Sequence, residues 1–390
     1  MAEAAGTLSQ FILKVHSRCN LACDYCYVYN GPDQSWQYRP AVMPRQTMEI
    51  FGRRLREYLV DRPDVRPHVV LHGGEPLLIG TDRLDFLATS LTEALAPLGR
   101  RARMTVQTNG LLLDSTVLSL LLRHEISVGL SMDGGSEAHG RHRRTRAGTS
   151  SFDGSTRAAE LLRSTPFRSL YGGILAVIDV RNDPVEVYES LLELEPPTID
   201  FLLPHATWDA PPKEGSTAYA EFLIPIFDRW FDEPRLKVEI RLFASLLELA
   251  LGGVGYSELF GPARPPAIVV ETDGTIERTD SFKIAYEGAC STGLDIFSNS
   301  FEQAAEHRFF ASSDGGVPPC DTCLACPVYR LCGGGMAAHR YRSGSGFANP
   351  SVYCDGLAKL AEHVQGRAER ALASLPLGRD APGSHRGSRD

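Results

Sequence analysis

The chain has 390 residues, 43% of them hydrophobic, and a formal net charge of -8. That length predicts one large domain with a smaller one, and the apolar fraction is enough to fill a real core. The acidic balance gives no global basic field for nucleic acid, and no apolar stretch reaches membrane-spanning length. Neither a nucleic-acid nor a membrane partner is expected.

Residues 1 to 10 are small and polar, and Phe11 to Val15 is too short for the apolar core of a signal peptide. A cytoplasmic, reducing location follows, in which clustered cysteines favour metal over disulfides. Phe11 to Val15 reads as a buried strand, and Cys19, Cys23 and Cys26 follow it. Residues 45 to 60 carry Met48, Phe51, Leu55 and Leu59 at helical spacing. The strand His68 to His72 runs into Gly73-Gly74-Glu75-Pro76. A helix over 82 to 98 precedes the strand Met104 to Thr108, which ends at the turn signal Asn109-Gly110. A helix over 114 to 123 leads to the strand Ile126 to Met132, ending at Asp133-Gly134. Strands at 173 to 178 and 199 to 204 alternate with helices at 154 to 164 and 184 to 193.

Six strands with crossover helices predict an α/β fold with a parallel sheet, either open or curled into part of a barrel. Ligands belong at the carboxyl ends of its strands, where the cysteine triplet, the GGEP stretch, Asn109 and Asp133 all converge. The run His139 to Arg146 reads as a solvated basic loop, with contact to an acidic peptide as its second use. His68, His72 and His205 read as core or hydrogen-bonding groups.

Helices over 218 to 232 and 236 to 251 come next, then a Pro/Gly-rich boundary at 261 to 267. Ala267 to Val270, Asp273-Gly274 and Thr275 to Arg278 predict a hairpin. Cys290, Cys320, Cys323, Cys326, Cys332 and Cys354 lie beyond it, and a helix over 356 to 373 closes the fold. The expected division is a barrel over 1–235, a helical linker over 236–265, a cysteine-rich auxiliary domain with the closing helix over 266–373, and a loose tail over 374–390.

In the first set, Cys-x3-Cys-x2-Cys supplies thiolates for three irons of a cubane cluster and leaves the fourth iron open. Zinc with His16 as fourth ligand, and inert thiols, are the alternatives. The two glycines of the GGEP stretch admit close approach, and Glu75 can accept hydrogen bonds from an ammonium group, or simply cap a turn. In the second set, Cys323, Cys326, Cys332 and Cys354 suit a structural zinc or a fully ligated cluster.

The triplet, with Tyr25 and Tyr27 flanking Cys26, resembles the radical S-adenosylmethionine signature. The resemblance implies a partial (β/α)6 barrel and a [4Fe-4S] cluster on Cys19, Cys23 and Cys26. S-adenosylmethionine chelates its open iron and is cleaved reductively to a 5'-deoxyadenosyl radical. It further implies that Gly73, Gly74, Glu75 and Pro76 contact the methionine moiety, that Asn109, Ser131 and Asp133 lie near the ribose and carboxylate, and that Tyr27 packs near the adenine. The late quartet resembles a SPASM extension holding an auxiliary [4Fe-4S] cluster, with Cys320 as a further candidate ligand and Cys290 unassigned. Thr279 and Met336 stand where that extension has cysteines for a second auxiliary cluster, so one auxiliary cluster is expected. Asp280 stands where some relatives place a substrate-facing base.

The local text is similar to the FxsB-type branch of radical SAM/SPASM peptide maturases. It includes Leu71-His-Gly-Gly-Glu-Pro-Leu77, Gly333-Gly-Gly335 and Gly344-Ser-Gly-Phe-Ala-Asn-Pro350. That resemblance implies a ribosomally made precursor peptide as partner, a flavodoxin- or ferredoxin-type reductant, and a cyclophane product joining a side-chain β-carbon to an aromatic ring. Thioether formation, epimerisation, and serine or cysteine oxidation are the alternative radical outcomes. A zinc-stapled peptide-binding protein is the nonenzymatic one.

Overall fold

The computed structural model describes residues 7–234, 238–262, 267–312 and 315–374. A ten-stranded sheet carries the fold, in the order β10-β9-β8-β1-β2-β3-β4-β5-β6-β7. The barrel strands are β1 (Gln10–His16), β2 (His68–Gly73), β3 (Arg103–Thr108), β4 (Ile126–Ser131), β5 (Tyr171–Val177) and β6 (Thr198–Leu202). Each pairs in parallel with the next. The predicted partial (β/α)6 barrel is therefore what forms.

Apolar residues that recur on one helical face cover this sheet. Along Arg45–Leu59 the buried positions include Met48, Phe51, Leu55 and Leu59, and Phe51 meets Phe11 of β1 edge-on at 6.3 Å. β1 is buried on both faces, against covering helices on one and the barrel interior on the other, which is why it reads as a largely apolar run.

The C-terminal region joins the same sheet. β8 (Ala267–Val270) lies parallel to β1, in register from Gln10↔Ala267 to Leu13↔Val270. β9 (Thr275–Glu277) folds back antiparallel to β8 through a turn in which Gly274 takes a φ of +89°, a conformation that favours glycine. The predicted hairpin is present. β10 (Ser291–Asp295) adds antiparallel to β9 and was not predicted. Its sequence STGLD offers one large apolar residue and no alternation.

The helix predicted from 236 begins later, at Arg241–Ala250. Just before it, β7 (Glu239–Ile240) extends the sheet beside β6. The closing helix, Cys354–Ser374, buries Leu357, Leu360, Ala361 and Val364. The loose tail expected over 374–390 lies, from residue 375 onward, outside the described residues. Among the described residues no helix is long and apolar enough to cross a membrane.

Candidate active site

A cavity of about 220 Å³ opens where the barrel strands end. Cys19, Cys23 and Cys26 line it together with Tyr25 and Tyr27. Gly73, Gly74 and Glu75 form a second side, and Asn109 and Ser131 a third. Ten of the predicted front residues thus meet at one place. Pro76, Asp133 and Asp280 stand outside the lining.

The loop after β1 is held against the GGEP stretch by backbone bonds. Gly74 N donates to His16 O at 2.8 Å and Glu75 N to Arg18 O at 3.0 Å. A Cβ at Gly73 would stand 2.1 Å from His16 O, and one at Gly74 would stand 1.9 Å from Tyr29 Oη. The chain's own cysteine loop therefore requires both glycines. Glu75 is buried and accepts three hydrogen bonds: Oε1 accepts from Thr108 Oγ1 at 2.7 Å and Leu77 N at 3.0 Å, and Oε2 from Asn109 N at 2.9 Å. Burial pushes its carboxyl up, and those three donors oppose the shift. It braces the GGEP loop against the end of β3.

Asp133 is likewise an anchor. Its Oδ2 accepts from Tyr25 Oη at 2.6 Å and Arg143 Nε at 2.9 Å, and its Oδ1 from Val177 N at 3.0 Å. Arg143 itself lines the cavity. Burial opposes its charge, but Asp133 restores it and holds Arg143 protonated. Sequence reading missed this residue by placing the whole run 139–146 in solvent. A short helix, Ser136–His142, instead turns His139 inward, where it bonds Ser151 Oγ at 2.8 Å. The signal lay in the spacing of His139 and Arg143, one helical turn apart on one face. Gln107, also unpredicted, lines the cavity and donates through Nε2 to Ser131 Oγ at 2.8 Å.

Behind this cavity lies a buried charge ladder. Lys14 of β1 pairs with Asp280, and its Nζ lies 2.9 Å from Nδ1 of the cavity-lining His72. Lys283 Nζ donates to Glu271 Oε1 at 2.9 Å. Arg39 bridges Glu271 and Glu277. Burial pushes the Asp280 carboxyl up, but Lys14 and Lys283 overrule it and hold it well below the usual carboxylate range. Asp280 Oδ1 is buried and accepts no hydrogen bond among the described residues. Burial, then Lys14, lowers His72 to about 3, so its imidazole is neutral.

A second cavity, of about 120 Å³, is lined by Cys323, Cys326, Cys332 and Cys354. The four predicted rear thiols thus surround one space. Cys320 is outside that lining, with its Sγ 3.7 Å from Cys323 Sγ. Cys290 is remote from it and packs in a separate apolar cluster with Phe282, Val317 and Ala338.

Zinc with Zn–S bonds of about 2.3 Å draws four thiolates to within about 3.8 Å of one another. Among the described residues no three cysteine sulfurs lie within 4.8 Å of each other, and His16 joins no such group; its Nδ1 is engaged by Arg18 N at 3.1 Å. Thiols spread around open cavities suit a multi-iron group better than a single ion. Burial pushes Cys19 up to about 11 and Cys23 to about 12, so iron must displace protons to bind there. Glu271, Glu277 and Asp280 do fall within 4.8 Å of one another, but Arg39, Lys14 and Lys283 already balance their charge.

The model of the Radical SAM superfamily matches residues 13–191. The chain is an enzyme of radical SAM type, an oxidoreductase. Its fold is the radical-SAM partial barrel with a C-terminal cysteine-rich, SPASM-like region. It is 26% identical to the cysteine-type anaerobic sulfatase-maturating enzyme of Clostridium perfringens, over 92% of this chain and 96% of that one. It is 24% identical to the serine-type enzyme of Bacteroides thetaiotaomicron, over 93% and 91%. Among solved structures it resembles native anSMEcpe with bound AdoMet and Kp18Cys peptide, with a TM-score of 0.79 and 23% identity over 94% of this chain and 99% of that one.

These full-length likenesses overturn the FxsB-type assignment. Along its length the chain is similar to anaerobic sulfatase-maturating enzymes, not to the cyclophane-forming branch. The expected cyclophane product falls with that assignment, and so do the precursor-peptide maturase and the ribosomal-peptide pathway. The cysteine spacing and GGEP text report how the cofactor end of the barrel is built, and that end is compatible with many products. The matching stretches run from the cysteine loop to residue 350, but each is short, and together they do not select a branch against an alignment along the whole length.

Proposed function

We propose that this enzyme oxidises a cysteine or serine side chain in a peptide segment of a substrate protein. The observation that carries the proposal is the single cavity joining the three front thiols, the GGEP loop and Arg143, in a chain similar along its length to sulfatase-maturating enzymes of both types. In this reading Cys19, Cys23 and Cys26 hold a [4Fe-4S] cluster with one open iron site, and Cys323, Cys326, Cys332 and Cys354 hold one auxiliary cluster. Bound at the front, the cluster and S-adenosylmethionine supply a hydrogen-abstracting radical after one-electron reduction by an external flavodoxin- or ferredoxin-type donor.

The chain's own residues then bind, orient and accept a proton. Arg143, kept charged by Asp133, faces the cavity as a partner for the cofactor's carboxylate. Ser131, oriented by Gln107, and Asn109 offer polar groups to the ribose. Gly73 and Gly74 keep the GGEP backbone close to the cysteine loop, and Glu75 fixes it in place. Tyr27 forms an apolar wall against water. Asp280, ionised and with one oxygen that accepts no hydrogen bond among the described residues, is the group we assign to receive the proton of the substrate hydroxyl or thiol. Its partner Lys14 lies 2.9 Å from Nδ1 of the cavity-lining His72.

The test is anaerobic reconstitution with iron and sulfide, followed by incubation with S-adenosylmethionine, a reductant and paired sulfatase peptides carrying cysteine or serine at the modified position. Substrate-dependent cofactor cleavage and a serine product lighter by two hydrogens are expected, or the aldehyde that follows sulfur loss from cysteine. If neither peptide changes while the cofactor is cleaved, the reading fails.

A further inference from the structure

The front and rear cavities share a wall. The loop after β6 lines the front cavity with Leu203, Pro204 and His205. Pro350, Ser351 and Cys354 line the rear one. Two side chains join these segments directly. Tyr353 Oη donates to Pro204 O at 2.7 Å, and Trp208 Nε1 donates to Pro350 O at 2.8 Å.

Inside the wall, His205 Nδ1 and His339 Nε2 share a hydrogen bond of 3.0 Å. The His339 ring lies 5.1 Å from that of Tyr353, and Tyr353 is bonded through the chain to Cys354. On the other side, His205 meets the edge of Tyr27 at 4.4 Å. His339 and Tyr353 are fully buried. Burial lowers His205 to about 4, so it is neutral and one N–H serves the bond between the rings. An unbroken file of packed rings thus runs from the front cavity to a rear thiol.

We propose that His205, His339 and Tyr353 form the electron path between the two cavities, ending on Cys354. The proposal rests on the function assigned above. Once a hydrogen atom has left the substrate carbon, oxidation is completed when the adjacent O–H or S–H bond breaks and a carbon–oxygen or carbon–sulfur π bond forms. The proton goes to the Asp280 carboxylate. The electron goes to an oxidised [4Fe-4S] cluster on the rear quartet, which an oxidised protein carrier of the flavodoxin or ferredoxin class then reoxidises. Tunnelling weakens steeply across empty space and persists through bonded, packed atoms, so a continuous file of rings is the favoured route where Thr279 and Met336 supply no thiols for an intervening cluster.

Flash photoreduction of the anaerobic holoprotein, followed by freeze-quench EPR, tests the path without substrate. One electron delivered to the native protein should distribute between the two clusters. His339→Leu should slow that redistribution by about tenfold or more, with iron content and the melting temperature kept near native. His339→Gln, which can still bond His205, separates loss of packing from loss of the bridge and should be slowed less than His339→Leu. Redistribution at the native rate in His339→Leu overturns the proposal, as does a native protein whose rear quartet gives no cluster signal. Slow redistribution in His339→Leu, alongside failure of either sulfatase peptide to react, would keep the path and discard only the substrate assignment.

Discussion

Gly74 shows how closely a single position constrains the front site, since any Cβ there would sit 1.9 Å from Tyr29 Oη and 2.4 Å from Arg18 O. Gly74→Ala should therefore cost about 1–3 kcal/mol in denaturant melts and lower the iron retained by the front cysteines. Asp133→Asn weakens the acceptor that orients both Arg143 and Tyr25. It should weaken S-adenosylmethionine binding by about tenfold, since losing a charge-assisted bond costs about 1.5–3 kcal/mol, and equilibrium dialysis would measure this. Asp280→Asn leaves Lys14 buried without its partner and should destabilise the protein by about 3–5 kcal/mol at pH 7. The native carboxyl is held below its unfolded value, so this contribution is present above about pH 4. It is lost as pH falls through the folded value. Unfolding curves of native and Asp280→Asn protein should accordingly converge in acid; a gap that stays constant down to pH 3 would contradict the ion pair.

Among the elements, strands with strong apolar runs were legible from the residues, and so were helices with a clean buried stripe. β1 announces itself because both its faces are covered, and Arg45–Leu59 because Met48, Phe51, Leu55 and Leu59 repeat at helical spacing. β7 and β10 did not, since two residues in one and a polar STGLD in the other find their place only by pairing with a neighbour already formed. The triplet, the GGEP stretch and the rear quartet were equally visible, because ligand spacing is local. The His205–His339 pair was not, because its members come from segments 134 residues apart; Arg143 was missed because a basic run reads as a solvated face, although its spacing from His139 carried the signal. The closing helix binds one of these levels to the other. Cys354 is its first residue, and Leu360, in its second turn, is buried. Leu360→Ala should cost about 2–5 kcal/mol. It should also reduce iron at the rear quartet while the front cysteines keep theirs, a difference that EPR of the two clusters would resolve.

On the scale of the whole molecule, barrel and auxiliary region are parts of one sheet. Residues Gln10 to Leu13 of β1 pair with β2 on one side and with β8 on the other. A chain ending at residue 262 would expose that edge of β1, and unpaired edges invite association between molecules. Such a truncation should aggregate on expression, whereas a monomeric, cooperatively melting product by light scattering and calorimetry would refute the dependence. The ladder of Lys14, Asp280, Lys283, Glu271, Glu277 and Arg39 reinforces the same seam from within, three cations against three carboxylates. Charges sealed from solvent feel mobile ions weakly. The seam should hold in brine as it does in dilute buffer, so salty or changeable surroundings would leave the alignment of the two cysteine sets undisturbed.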